Sequence, residues 1–260
     1  MNRIRIMRQN ETLATAAAEN ETLLVYHGSY QPGDVIVFES ASRHAIVSID
    51  HTIPPARLYL PEKRFTFRLP LEGDLPQGYP PFAFQGEYHL LSILNDTGNE
   101  IRNLACNPAD QRHDSGAYPH ASANAETRNE SVFFARNAID GLHAAASHGV
   151  WPWLSWGIWE RPDAAIRLDF GRAVTVDSMA LYLRADFEPS GYWVGGTVHL
   201  SDGFEKSFPL ERIDGPQAVL LDGSHTVTWM RLDGLIKNDP ARKYPSLRQW
   251  EVYGKDAEAE

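Results

Sequence analysis

AAIRLDFGRAVTVDSMALYLR, residues 164–184, decides how this chain is read. Two runs rich in apolar and β-branched residues, AAIRLDF and AVTVDSMALYLR, stand either side of a glycine turn. That pattern predicts two successive strands. The same pattern continues downstream in VGGTVHLSD (194–202), EKSFPLE (205–211), QAVLLD (217–222), HTVTWMRLDGLI (225–236) and LRQWEVYG (247–254), with turns such as SDG and LDG between them. Many short strands with frequent turns predict a β-sandwich.

Upstream the signals are similar. TLLVYH (22–27), DVIVFES (34–40), HAIVSI (44–49), ARLYL (56–60), RFTFRLPL (64–71), EYHLLSI (87–93) and NEIRNLA (99–105) read as strands, punctuated by QPGD and TIPP. RFTFRL alternates apolar and polar residues, as a half-buried strand should. ETLATAAAENETL (11–23) is predicted helical because of its alanine run. The expectation is an all-β protein: an N-terminal β-sandwich over 1–105, an ordered interdomain seam over 106–127, and a second sandwich over 128–255. SVFFARNAIDG (131–141) predicts a short helix ending at Gly141.

Composition bounds the function. The chain has 260 residues and a formal charge of −10, which disfavours nucleic acid and anionic membrane as main partners. No apolar run of transmembrane length occurs. MNRIRIMRQNETL offers no secretory signal, so the expected compartment is the cytoplasm. The single cysteine, Cys106, excludes an intrachain disulfide and reads as a small core residue. Ten histidines invite a zinc reading, but no His-x-His, HExxH or Cys-x-x-Cys spacing supports one. Serine-nucleophile, P-loop and dinucleotide motifs are absent.

Residues 148–159, HGVWPWLSWGIW, hold four of the seven tryptophans. Pro152 breaks regular structure between Trp151 and Trp153, so these indoles need not share a face. Some are expected to anchor the loop, and at least one to face outward.

The C-terminal part resembles a discoidin, or factor V/VIII C-type, domain of the galactose-binding-like superfamily. The resemblance rests on NAIDG at 137–141, the tryptophan segment, AAIRLDFGRAVTVDSMALYLR at 164–184, SDG at 201–203, TVTWMRLDG at 226–234 and QWEVYG at 249–254. It covers about half the chain and implies an eight-stranded jelly roll with ligand loops at one end. The N-terminal half resembles no family. The resemblance implies non-catalytic carbohydrate binding, with Trp151, Trp153, Arg184, Asp186, Tyr192 and Trp193 as candidate ligand residues. Indoles suit the C–H face of a sugar, and the polar groups suit its hydroxyls. It also implies a structural calcium at Asp140, although Gln249 stands where many members have Glu.

Two other readings stay open. A carbohydrate-active enzyme, a lyase or hydrolase on acidic sugars, would use the seam, with Tyr118, His120, Glu126 and Arg128 as candidate catalytic groups. A protein-binding structural module would show an exposed apolar patch. The sequence leaves the oligomeric state open.

Overall fold

The structure is a computed structural model and describes the chain except residues 145–146, 185–190, 243 and 258–260. It is all-β, built from antiparallel sheets packed as β-sandwiches. The first eight strands are β1 (Asn2–Arg8), β2 (Glu11–Ala18), β3 (Glu21–His27), β4 (Val35–Glu39), β5 (His44–Ser48), β6 (Ala56–Tyr59), β7 (Arg64–Arg68) and β8 (Tyr88–Asn95). They form two four-stranded sheets, β2-β1-β4-β7 and β3-β8-β5-β6. Ile4, Ile6, Ile36, Phe38, Phe65 and Phe67 from the first sheet meet Leu58, Leu91 and Ile93 from the second in one core. Side chains alternate along each strand, so one face of each sheet supplies this core.

The helix expected over 11–23 is not formed. Glu11–Ala18 is an edge strand paired with β1 from Asn2↔Ala18 to Arg8↔Glu11, and it turns at Gln9, whose φ is +54°. Alanine favours a helix in isolation, but the open edge of β1 supplies a ladder that outweighs a propensity of a few tenths of a kcal/mol per residue.

The remaining strands are β9 (Arg102–Asn103), β10 (His120–Ala123), β11 (Trp156–Gly157), β12 (Ile166–Leu183), β13 (Trp193–Leu200), β14 (Glu205–Pro209), β15 (Gln217–Lys237) and β16 (Ser246–Asp256). Their order is β11-β16-β12-β15-β13-β14, with β10 on β12 and β9 on β16. The two strands expected in 164–184 are one long strand, β12. Its first part, Ile166–Asp169, lies between β10 and β15; its second part, from Val174, lies between β16 and β15. The register shifts between Asp169 and Val174 bend the strand and fold the sheet over its own core. Gly171, with φ +68°, sits at that bend, and a Cβ there would come within 2.5 Å of the Tyr118 ring. Only glycine suits both the angle and the contact.

The chain between the two sandwiches feeds both cores. Ala109 and Ala117 belong to the first, while Leu104, Ala105, Ala121 and Ala125 belong to the second. The strand expected over 99–105 is only β9, and it pairs with β16 of the C-terminal sheet. Residues 131–138 form 3-10 turns rather than a continuous helix, because the chain is extended at Phe134 between them.

Candidate functional site

The tryptophan segment divides. Trp156 is fully buried in the C-terminal core, donates Nε1–H to the Ala125 carbonyl at 2.8 Å, and lies 6.1 Å from the Trp193 ring. Trp151 is half-buried against Val132, Phe133 and Leu154, and its backbone N–H reaches the Gln77 carbonyl at 2.9 Å. It is a wedge under the 75–85 loop of the first sandwich and lines a cavity of about 410 Å³ there. Trp153 is half-buried in a turn closed by Gly149 and Val150. Trp159 is 48% exposed.

Trp159 stands on a built loop. Arg128, Asn129, Trp159 and Glu160 have φ of +49°, +55°, +50° and +62°. The left-handed region costs a non-glycine residue on the order of 1–2 kcal/mol, so two such pairs side by side mark a conformation held by its surroundings. Thr127 Oγ1 ties them together by accepting from the Trp159 N–H at 3.0 Å. Gly157 allows the approach, since a Cβ there would meet Thr127 Oγ1 at 2.5 Å. Arg128 forks onto Glu130 at 2.6 and 2.7 Å, with its guanidinium 5.6 Å from the Phe133 ring.

The other loop residues reach the same end of the sandwich. Gly157 pairs with Ser246, and the Arg184 N–H donates to the Ser246 carbonyl at 3.0 Å. Tyr192 and Asn238 exchange hydrogen bonds at 2.9 and 3.0 Å. Tyr244 is exposed beside β16. Tyr192 is half-buried against the core. Trp193 is 1% exposed, so its indole is core and offers no face to a ligand. Asp186 lies outside the described residues. Trp159 carried the same loop-segment signal as Trp151 and Trp153, but its exposure depends on the left-handed turn that follows Ile158.

The seam candidates do not converge. Tyr118 donates its hydroxyl to Asp114 at 2.6 Å, and burial together with that carboxylate pushes the phenol up. His120 Nδ1 meets Asp110 Oδ1 at 2.8 Å, and the Ala121 N–H donates to Asp110 Oδ2 at 2.9 Å. Burial pushes the Asp110 carboxyl up, against the pull of His120 and Ala121. Burial opposes the charged His120 ring, but the Asp110 bond outweighs it and the imidazole is raised. Glu126 accepts from the Ala135 N–H at 2.9 Å and from Arg112 at 2.8 Å. Arg128 is at the far loop end. Each group is held by its own structural partner; Tyr118 and His120 share the field of Asp110, Asp114 and Asp169, and none of the cavities lined by described residues takes in all four. Burial pushes the Cys106 thiol up to about 11, which leaves it inert at neutral pH.

The buried anchor here is Arg136. Its guanidinium donates to the carbonyls of Asp110, Gly78 and Pro108 at 2.7, 3.3 and 3.3 Å, and to Asn137 Oδ1 at 3.1 Å. It lies 4.4 Å from the Tyr79 ring. One cation therefore joins the seam to a loop of the first sandwich.

The residues around Asp140 do not fit calcium. The carbonyls of Asn137 and Arg248 and Asp140 Oδ1 converge on Gln249 Nε2 at 2.9, 2.7 and 2.5 Å. The Gly141 N–H donates to Gln249 Oε1 at 3.0 Å, which fixes the amide with its NH₂ toward those oxygens. An NH₂ group thus stands where oxygens of one carboxylate and two carbonyls meet. Calcium requires six to eight oxygens, usually with several carboxylates. Among the described residues no group of three or more His, Cys, Asp or Glu could hold a metal. Burial pushes the Asp140 carboxyl up to about 7, against the pull of Arg136, the Leu142 N–H and Gln249.

No protein-family model matches the chain, and no curated protein matches it. Solved structures do resemble it. Chitosan-binding module 1 of a chitosanase/glucanase from Paenibacillus sp. IK-5 is 20% identical at a TM-score of 0.41, covering 59% of this chain and 99% of that one. The family 32 carbohydrate-binding module of C. perfringens NanJ, solved with galactose, is 20% identical at 0.40, covering 51% and 91%. A Streptococcus pneumoniae fucose binding module is 16% identical at 0.42, covering 60% and 99%. Likeness at this level carries nothing about the ligand of this chain.

Proposed function

We propose that the protein is a non-catalytic carbohydrate-binding protein. In this reading its C-terminal sandwich is a discoidin-like, galactose-binding-like jelly roll, and a sugar docks at the loop end around Trp159. One observation carries the reading: an indole that is 48% exposed on a loop held by two left-handed pairs. A rigid indole loses little entropy on binding and presents a flat apolar face to a sugar ring. Arg128, Arg184, Tyr192 and Tyr244 reach the same end and supply groups able to bond hydroxyls. Trp151 takes the wedge role under the first sandwich, and Trp159 replaces it as the stacking residue.

The test is a glycan array with the intact chain and with Trp159→Ala. The expected result is binding of at least one glycan by the parent and its loss in the variant, with an unchanged melting temperature. A parent that binds no glycan, or a folded variant that binds as the parent does, overturns the reading.

A further inference from the structure

A second opening lies between the two sandwiches, away from Trp159, and encloses about 1300 Å³. One wall comes from the first sandwich and carries Arg43 and Lys63; the other comes from β12 and β16 and carries Arg172 and Lys255. Asp256 is the one carboxylate among the described lining residues. It is already engaged by Arg172 Nε, by His44 Nε2 at 3.1 Å and by Arg102 at 3.5 Å. Burial works against its charge, but the His44 and Arg172 contacts prevail and hold the carboxyl well below the usual range. Arg172 offsets Asp256, which leaves Arg43, Lys63 and Lys255 as the uncompensated cations among the described lining residues, in a chain whose formal charge is −10.

The cationic wall is constructed. Lys63 occupies the left-handed region at φ +54°, its N–H donating to Leu60 and its carbonyl accepting from Ser40. Arg43 Nε donates to the Pro61 carbonyl at 3.2 Å, which fixes the arginine beside the lysine turn. Arg43, Lys63 and Lys255 make no salt bridge among the described residues, unlike most arginines of this chain. Ser42, Thr175 and Thr226 add hydroxyls to the lining.

We infer that this cleft is a second ligand site, taking an anionic oligosaccharide whose carboxylate or sulfate groups meet Arg43, Lys63 and Lys255. Focused positive potential in a cleft attracts the anion, and the hydroxyls bond the sugar between its charges. A nucleic acid fits less well. The aromatic rings among the described lining residues are already engaged, Tyr59 by the Arg172 guanidinium 4.8 Å from its centroid and His44 by Asp256 at 3.1 Å, so neither is left to stack a base. The site is independent of the Trp159 end.

The intact chain is titrated calorimetrically with an oligogalacturonate, a heparin-derived oligosaccharide, a neutral chito-oligosaccharide and a single-stranded DNA of matched length. At least one acidic saccharide is expected to bind, with affinity falling about tenfold or more from low to physiological salt. Lys63→Glu with Lys255→Glu is expected to weaken it by a further tenfold or so, since both charges reverse sign. Lys63→Gln with Lys255→Gln repeats the test by charge removal, should reversal unfold the chain. Trp159→Ala should leave acidic binding unchanged. The inference falls if neither acidic saccharide binds, if the folded double variants bind as the parent does, or if DNA binds more tightly than both saccharides. A neutral sugar bound through Trp159 while both acidic probes fail sinks the cleft alone. Acidic binding through the cleft, with no glycan sensitive to Trp159→Ala, sinks the Trp159 reading alone.

Discussion

In residues 106–127 the polar side chains singled out as catalytic candidates end on partners inside the fold: Tyr118 on Asp114, His120 on Asp110, Glu126 on Ala135 and Arg112. In residues 148–159 the indoles divide, with Trp156 in the core and Trp159 in solvent. Both stretches are dense in chemistry-bearing residues, yet only one leaves a large aromatic side chain exposed on a held loop. Density of functional groups therefore does not locate a site. What matters is whether the fold has already satisfied those groups.

The sharpest break of that comparison lies within the tryptophan segment itself. Trp156→Ala should cost about 3–5 kcal/mol, the loss of a buried indole plus its cavity. Trp159→Ala should cost under about 0.5 kcal/mol, as an exposed substitution. Urea unfolding of the two variants measures both, and equal losses would erase the division.

Next in size is the seam. Arg136→Met removes a guanidinium that satisfies three carbonyls and an amide oxygen. The expected loss is about 2–3 kcal/mol, the cost of buried acceptors left without donors. A loss below about 1 kcal/mol would mean that the seam is not held by this cation. We further propose that the seam is ordered in solution, so limited proteolysis should spare 106–127.

A smaller effect is expected at Asp140. Gln249→Glu places a second carboxylate on a buried one and should destabilise the chain by about 1–2 kcal/mol without metal. Millimolar calcium should recover part of that loss in the variant and leave the parent melting temperature unmoved. A parent stabilised by calcium would overturn the reading of Gln249 as the group that fills this position.

The smallest effect is a pH dependence. The folded pKa of His120 lies above its unfolded value, so its contribution is fully present below the unfolded pKa of about 6.5 and is lost as pH rises through the folded one. His120→Gln should thus cost about 1 kcal/mol near pH 5.5 and less near pH 9. Asp110, Asp114 and Asp169 are the acids acting on the ring. A loss that grows with pH would contradict the charged pair.

Much of the fold could be read from local pattern. RFTFRL, HAIVSI and the runs of 164–184 alternate or cluster apolar residues as strands do, and they are strands. NRIRIMR alternates as well, with Ile4 and Ile6 buried, and without a partner for it ETLATAAA looked helical. Of the candidate site, the loops could be located but not the individual residues. Trp151, Trp156 and Trp159 share a segment and a residue type, and only packing separates the wedge, the core indole and the exposed one. The cationic cleft could not be read at all, because Arg43, Lys63, Arg172 and Lys255 are scattered over two sandwiches.

The sequence by itself determined what depends on neighbours along the chain: strand periodicity, the glycine at the β12 bend, the acidic balance and the lack of motifs for metal or nucleophile chemistry. Tertiary structure alone decided the rest. It turned the alanine run into an edge strand, converted seam acids and bases into structural hydrogen bonds, set the Gln249 amide against Asp140, and chose which indole faces water. Each of those outcomes depends on desolvation and on partners that the fold brings together, from Asp114 four residues from Tyr118 to Gln249 109 residues from Asp140. The free energy of a polar or aromatic side chain is set by what surrounds it in space, and local sequence carries little of that information.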